Sequence, residues 1–166
     1  PTGIVTRAEM AKMICVVLNG GKDPSLGNVT KYTYTDTVGH WAAPYIEFCT
    51  NRGIVAGKGD GTFAPNETVT GSQAAKMLLV AAGYQSVIEG LTGANWEVST
   101  NVLANQVGLY DELDINPSQG LSRDNAAQMV YNALEINMVT YEYTMVAQPD
   151  GTFTSTTELK KYNYNV

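Results

Sequence analysis

A segment written three times restricts the fold of this chain more than any other feature: VTRAEMAKMICVVL from Val5, VTGSQAAKMLLVAA from Val69 and LSRDNAAQMVYNAL from Leu121. Internal repetition means that one local structure is built several times, and that the copies bury their apolar faces against one another. Each copy opens on a hydroxyl residue, Thr6, Thr70 or Ser122, in the place of a helix N-cap. Glu9 and Gln73 follow at the spacing of a capping box, whereas Asn125 fills that place poorly. Behind the caps, Met10, Met13, Ile14 and Val17 obey the i, i+3, i+4, i+7 rule. Ala74, Met77, Leu78 and Ala81 repeat the stripe, as do Ala126, Met129, Val130 and Ala133. Three helices packed on one another around Met13, Met77 and Met129 are the expectation.

A second element precedes two of the three segments. HWAAPYIEFCTNRGI from His40 carries an apolar stripe of Ala42, Tyr45, Ile46 and Cys49, with Gly53 as a left-handed stop. NWEVSTNVLANQVGL from Asn95 keeps Trp96, Gly108 and Leu109 at the matching ends. Each unit therefore reads as helix, glycine-rich loop and capped helix. The first unit lacks its leading helix, which predicts a bare apolar face near Ile14 and Val17. A neighbouring chain or the C-terminal tail is expected to cover it.

The loop GKGDGTFAP, from Gly57, raises the question of metal, phosphate or sugar binding. After Asp60 come Gly61, Thr62, Phe63, Ala64 and Pro65, which supply almost none of the alternating oxygens of a calcium loop. The lysine and hydroxyl of a phosphate loop are missing after the glycines. Asp60-Gly61 instead reads as a turn, with Phe63 plugging the core and Pro65 ending the extended stretch. PDGTF recurs from Pro149, inside an alternating tail that begins at Val139 and reads as a β-hairpin.

Charge and cysteine usage narrow the function. A net charge of −6 over 166 residues excludes a basic nucleic-acid surface or a polybasic membrane patch. No run reaches the ~18 apolar residues of a membrane span. The sequence opens on Pro1, with no initiator Met or signal segment, and reads as a piece of a longer protein. Cys15 and Cys49 lie on apolar helical faces and read as buried thiols rather than a disulfide; they lack the spacing of a zinc site. His40, beside Trp41, reads as structural. No nucleophile motif or acid pair accompanies it, so the expectation is a non-catalytic protein with no cofactor and no metal.

The joint presence of YTDTVGHWAAPYIEF, GIVAGKGDGTFAP and VTRAE resembles the S-layer homology family of bacterial cell-surface domains. The likeness is full for the second unit, partial for the first and loose for the third. It implies a mainly α fold: a pseudo-threefold bundle of helical repeats with glycine-rich loops, followed by the β-hairpin tail. The units are then 1–33 for the second half of a first repeat and linker, 34–90 for a complete repeat, 91–138 for a divergent third and 139–166 for the tail.

By the same resemblance the chain is an extracellular module of the cell wall or S-layer. It would anchor an exported protein by binding a secondary cell-wall polysaccharide, often pyruvylated, in grooves between repeats. Arg7 after Thr6 and Arg123 after Ser122 would hold the acid, and a helix start favours an anion there. Trp41 and Trp96 would face sugar rings, Asp36 would bond hydroxyls, and Gly61 would let backbone approach the groove. The plainer reading stays open, since arginines are common at helix starts and both tryptophans can be core. Gly71 replaces the arginine of the second unit. The alternative is therefore a degenerate fold serving as a structural spacer or protein-interaction domain. Further expectations are that Arg7→Ala weakens binding with the fold intact, that Gly71→Arg restores a second site, and that self-association covers the missing first helix.

Overall fold

The computed structural model describes residues 3–162. The three repeated segments are helices α1 (Arg7–Leu18), α3 (Gly71–Ala81) and α5 (Arg123–Glu135), and each touches the other two. Their starts follow the cap chemistry. Thr6 Oγ1 accepts from the Glu9 N–H at 3.2 Å while the Glu9 carboxylate takes the Thr6 N–H at 2.9 Å. Thr70 and Gln73 repeat both bonds, at 3.2 and 3.1 Å. Ser122 accepts from the Asn125 N–H at 3.2 Å, and no reciprocal bond forms because an asparagine is too short to reach back.

The residues before the caps are tied together by backbone hydrogen bonds that run in a ring. Val5 N donates to Leu121 O, Leu121 N to Val69 O, and Val69 N to Val5 O, each at 2.9 Å. One layer on, Arg7 N donates to Glu67 O, Gly71 N to Gln119 O and Arg123 N to Gly3 O. Short extended segments thus satisfy one another where no sheet exists. Beneath the ring lies the core, with Met10, Ile14, Phe63, Leu78, Leu79 and Met129 almost wholly out of water. Met77 is also buried and Met13 partly so.

The leading helices are α2 (Ala43–Asn51), which packs on α1, and α4 (Trp96–Gln106), which packs on α3. Gly53 and Gly108 follow them at φ +70° and +86°, a conformation that glycine adopts without steric cost. Cys15 and Cys49 meet between α1 and α2 with their sulfurs 3.6 Å apart, both buried and free. His40 accepts the Ala42 N–H on Nδ1 and bonds Asn66 Oδ1 through Nε2, so it organises the start of α2.

The bare face expected near Ile14 and Val17 is present at Val17 but not at Ile14. Ile14 is fully buried, because the α1 stripe serves both the core and α2. The open apolar surface is a groove between α1 and α5, with Met13, Val16 and Val17 on one wall and Ala127, Val130 and Leu134 on the other. Among the described residues, α5 carries no helix placed as α2 is on α1. The tail does not fill the gap. It forms an antiparallel hairpin of β1 (Met138–Ala147) and β2 (Phe153–Tyr162), paired from Met138↔Tyr162 to Ala147↔Phe153. Its base docks beyond α3, where Val139 N donates to Ala82 O at 2.9 Å and the Tyr141 hydroxyl donates to Glu89 at 2.7 Å. Nothing in the structure supports the self-association expected for the bare face. Among the described residues, no helix is long and apolar enough to cross a membrane.

The DGT turn serves two contexts unchanged. Asp60 Oδ1 accepts from the Thr62 N–H at 2.9 Å and its hydroxyl at 2.6 Å. Asp150 makes the same two bonds to Thr152 at the tip of the hairpin, at 2.9 and 2.6 Å. These bonds hold both carboxylates below their ordinary pKa.

Candidate functional site

The GDGTFAP loop shapes the site from behind. Asp36 follows Thr35 in a short 3-10 turn, Thr35–Thr37, and its two carboxylate oxygens accept the N–H groups of Phe63 and Ala64, at 2.9 and 2.8 Å. Gly61, at φ +86°, accepts the Thr35 N–H on its carbonyl at 3.0 Å. Both expected sugar contacts therefore act within the loop: Asp36 clamps it and Gly61 makes its turn. The clamp presents Phe63 to the start of α1.

Arg7 sits on that residue. Its Nε donates to Phe63 O at 2.9 Å, one Nη donates to Ala56 O at 2.8 Å, and the guanidinium carbon lies 4.5 Å from the Phe63 ring centre. Burial lowers its pKa, countered by the fields of Glu67, Tyr34 and Asp36, and an arginine so placed remains a cation. Its side chain borders a groove of about 400 Å³ whose other walls are the backbone after α2 (residues 53–56), α3 and the start of α4. Gln73, Lys76 and Trp96 line it, and the Lys76 ammonium lies 5.5 Å over the Trp96 ring. Burial also lowers the Lys76 pKa. Among the described residues, none of those lining this groove is an Asp or Glu.

Trp41 and Arg123 come together in a different place, the groove of about 660 Å³ between α1 and α5. There Arg123 is ion-paired with Glu9, the acid of the first capping box. Lys12, also in its wall, is paired with Asp23 at 2.8 Å. The cations are matched and the remaining lining is largely apolar. The corresponding position at the start of α3 is closed. A Cβ built on Gly71 would lie 3.0 Å from Pro117 Cα and 3.2 Å from the Ile115 side chain, so the space of an arginine is already filled.

The eight sequence candidates are thus divided. Arg7 and Trp96 share one groove, Trp41 and Arg123 another, Thr6 and Ser122 are engaged as caps, and Asp36 and Gly61 belong to the loop. Gln73 and Lys76 were not among them. The signal was present as a contrast between copies: Gln73 stands where the first copy has Glu9, and Lys76 matches Lys12 without a matching Asp23.

Residues 33–75, which include the clamped loop and the start of α3, match the S-layer homology domain family. Cell surface glycoprotein 1 of Acetivibrio thermocellus is 38% identical over 80 residues, 48% of this chain. A cell surface protein of Thermoanaerobacter kivui is 27% identical over 138 residues, 82% of the chain. The cellulosome-anchoring protein of A. thermocellus is 25% identical over 162 residues, 88% of the chain. The family match is confined to residues 33–75 of the 166. S-layer homology domains are cell-wall anchoring modules, generally non-catalytic, and the family and its relatives indicate an extracellular, cell-surface location. The chain spans 3%, 17% and 36% of the lengths of these three relatives.

Proposed function

We propose that this module anchors its parent protein by binding an acidic cell-wall polysaccharide in the groove beside Arg7. The acid is a carboxylate such as a pyruvate ketal, and the protein acts by binding, without catalysis. The observation that carries the reading is the electrostatics of that groove. In a protein of net charge −6, it holds Arg7 and Lys76 and, among the described residues, no carboxylate. The Nε edge of Arg7 is used by the loop carbonyls, and the remaining Nη hydrogens are left for a ligand oxygen.

The ring of backbone bonds supports the further reading that the three capped helices are related by a pseudo-threefold axis. The repeats then divide at 34–90 and 91–138, with a partial repeat at 1–33 and the tail at 139–166. One groove of the three is suited to an anion. The alternative, a spacer or protein-interaction module, is favoured by the closed position at Gly71 and the Arg123–Glu9 pair.

Gln73→Glu separates the two readings. It keeps the capping box, because glutamate makes the same reciprocal bond, and sets an acid into the groove beside Arg7. Calorimetry with purified secondary wall polysaccharide should show binding by the parent chain and about ten-fold weaker binding by Gln73→Glu, with thermal stability unchanged. Equal binding by both proteins would exclude the Arg7 groove, and no binding by the parent chain would favour the spacer.

A further inference from the structure

The two lysines that occupy the same place in successive repeats are solved differently by the fold. Lys12 in α1 lies 5.3 Å over the Tyr45 ring and is paired with Asp23 at 2.8 Å, an acid that also accepts the Tyr45 hydroxyl at 2.7 Å. Lys76 in α3 lies 5.5 Å over the Trp96 ring, and among the described residues no carboxylate pairs with it. In register with the capped helices, Val87 stands where the first copy has Asp23. The ammonium again lies over an aromatic ring, supplied from a different position of the leading helix, while no internal acid stands beside it. A half-buried ammonium without a counter-charge is an unfavourable arrangement in the empty protein, and an anion arriving from outside relieves it.

Arg7 faces the same groove, where Gln73 replaces the acid that neutralises Arg123 next door; the acids that act on Arg7, Glu67 and Asp36, lie outside the groove lining. The groove therefore presents two cations of different character and, among the described residues, no carboxylate in its lining. The guanidinium is fixed by two backbone carbonyls, whereas the ammonium rides on a flexible stem over an indole face.

We propose that the groove takes a glycan bearing two acidic groups, one held by Arg7 and the second by Lys76, and that Lys76 selects such a ligand over a singly charged one. This inference rests on the polysaccharide-binding reading above. It also gives Trp96 a role: the indole holds the ammonium over the groove, and the sugar between the two acids meets the edge of that shelf. Lys12, already satisfied by Asp23, has no such part.

The test is calorimetry with two probes: a pyruvylated disaccharide whose second sugar is neutral, and the same disaccharide with a uronic acid as second sugar. The parent chain should bind the diacid about ten-fold more tightly than the monoacid. Lys76→Gln should bind both at the monoacid level, Lys76→Arg should keep the preference, and Lys12→Gln should behave as the parent. Circular dichroism of each variant establishes that the fold is retained. Parent-chain binding without preference, or a preference that survives in Lys76→Gln, overturns the dianion proposal and leaves the wall-binding reading standing. Failure of the parent chain to bind either probe or the whole polysaccharide overturns both.

Discussion

Truncating Arg7 should destabilise the protein, contrary to what a helix-start arginine suggests. Arg7 is 6% exposed and two of its five donors are committed to carbonyls far along the chain, Phe63 O and Ala56 O. Hydrogen bonds to a charged group contribute ~1.5–3 kcal/mol each, and a partly desolvated cation over an aromatic ring adds about 1 kcal/mol. The desolvation of the guanidinium, seen in its lowered pKa, offsets part of this sum. In Arg7→Ala that penalty disappears, but the buried Phe63 carbonyl is left without a donor, at ~1–3 kcal/mol. The Ala56 carbonyl borders the groove and can turn to water, so it adds little. The void left by the stem contributes a further ~1 kcal/mol. The net expectation is a loss of about 2–4 kcal/mol, read as a shift in the urea midpoint at constant slope. Arg7→Lys should recover the stem packing and one bond. If Arg7→Ala unfolds within about 0.5 kcal/mol of the parent, the inward tie carries no weight and the reasoning fails. If the loss is as expected, a binding defect in Arg7→Ala cannot be assigned to lost ligand contact.

Two further outcomes follow from the caps and from the filled position at α3. Thr70→Ala should lower stability by about 1 kcal/mol in thermal unfolding, because the Gln73 N–H loses its acceptor. Gly71→Arg should lower the unfolding midpoint and leave the number of polysaccharide sites measured by calorimetry unchanged, since Ile115 and Pro117 occupy the side-chain space.

The parts of the structure that depend on neighbours in sequence were readable from it. Caps, stripe, glycine stops and the DGT turns are local devices: α1, α3 and α5 begin at Thr6, Thr70 and Ser122, and α2 and α4 end just before Gly53 and Gly108. Ile14 shows where local reading stops. The stripe defines an apolar face, but which half of it meets the core and which meets α2 depends on packing between distant segments. Arg7 is a second case, because its conformation is dictated by Phe63, a residue brought near it by the loop and by the Asp36 clamp. Asp36 itself has the chemistry of a sugar ligand, and two loop amides claim it first.

Repetition explains how one groove acquires a charge that its neighbours lack. The capping-box position accepts glutamate or glutamine at nearly equal benefit to the helix, since either side chain reaches back to the cap N–H. At Glu9 the acid lies against Arg123 and cancels it; at Gln73 an amide borders the groove beside Arg7 instead. The same holds one turn on, where Asp23 answers Lys12 and nothing comparable answers Lys76. Each change leaves one cation of the Arg7 groove without the acid that its counterpart pairs with. A chain built of near-equal copies can therefore keep its core, close one interface with Ile115 and Pro117, neutralise another through Glu9, and leave the third lined by two cations and no carboxylate among the described residues.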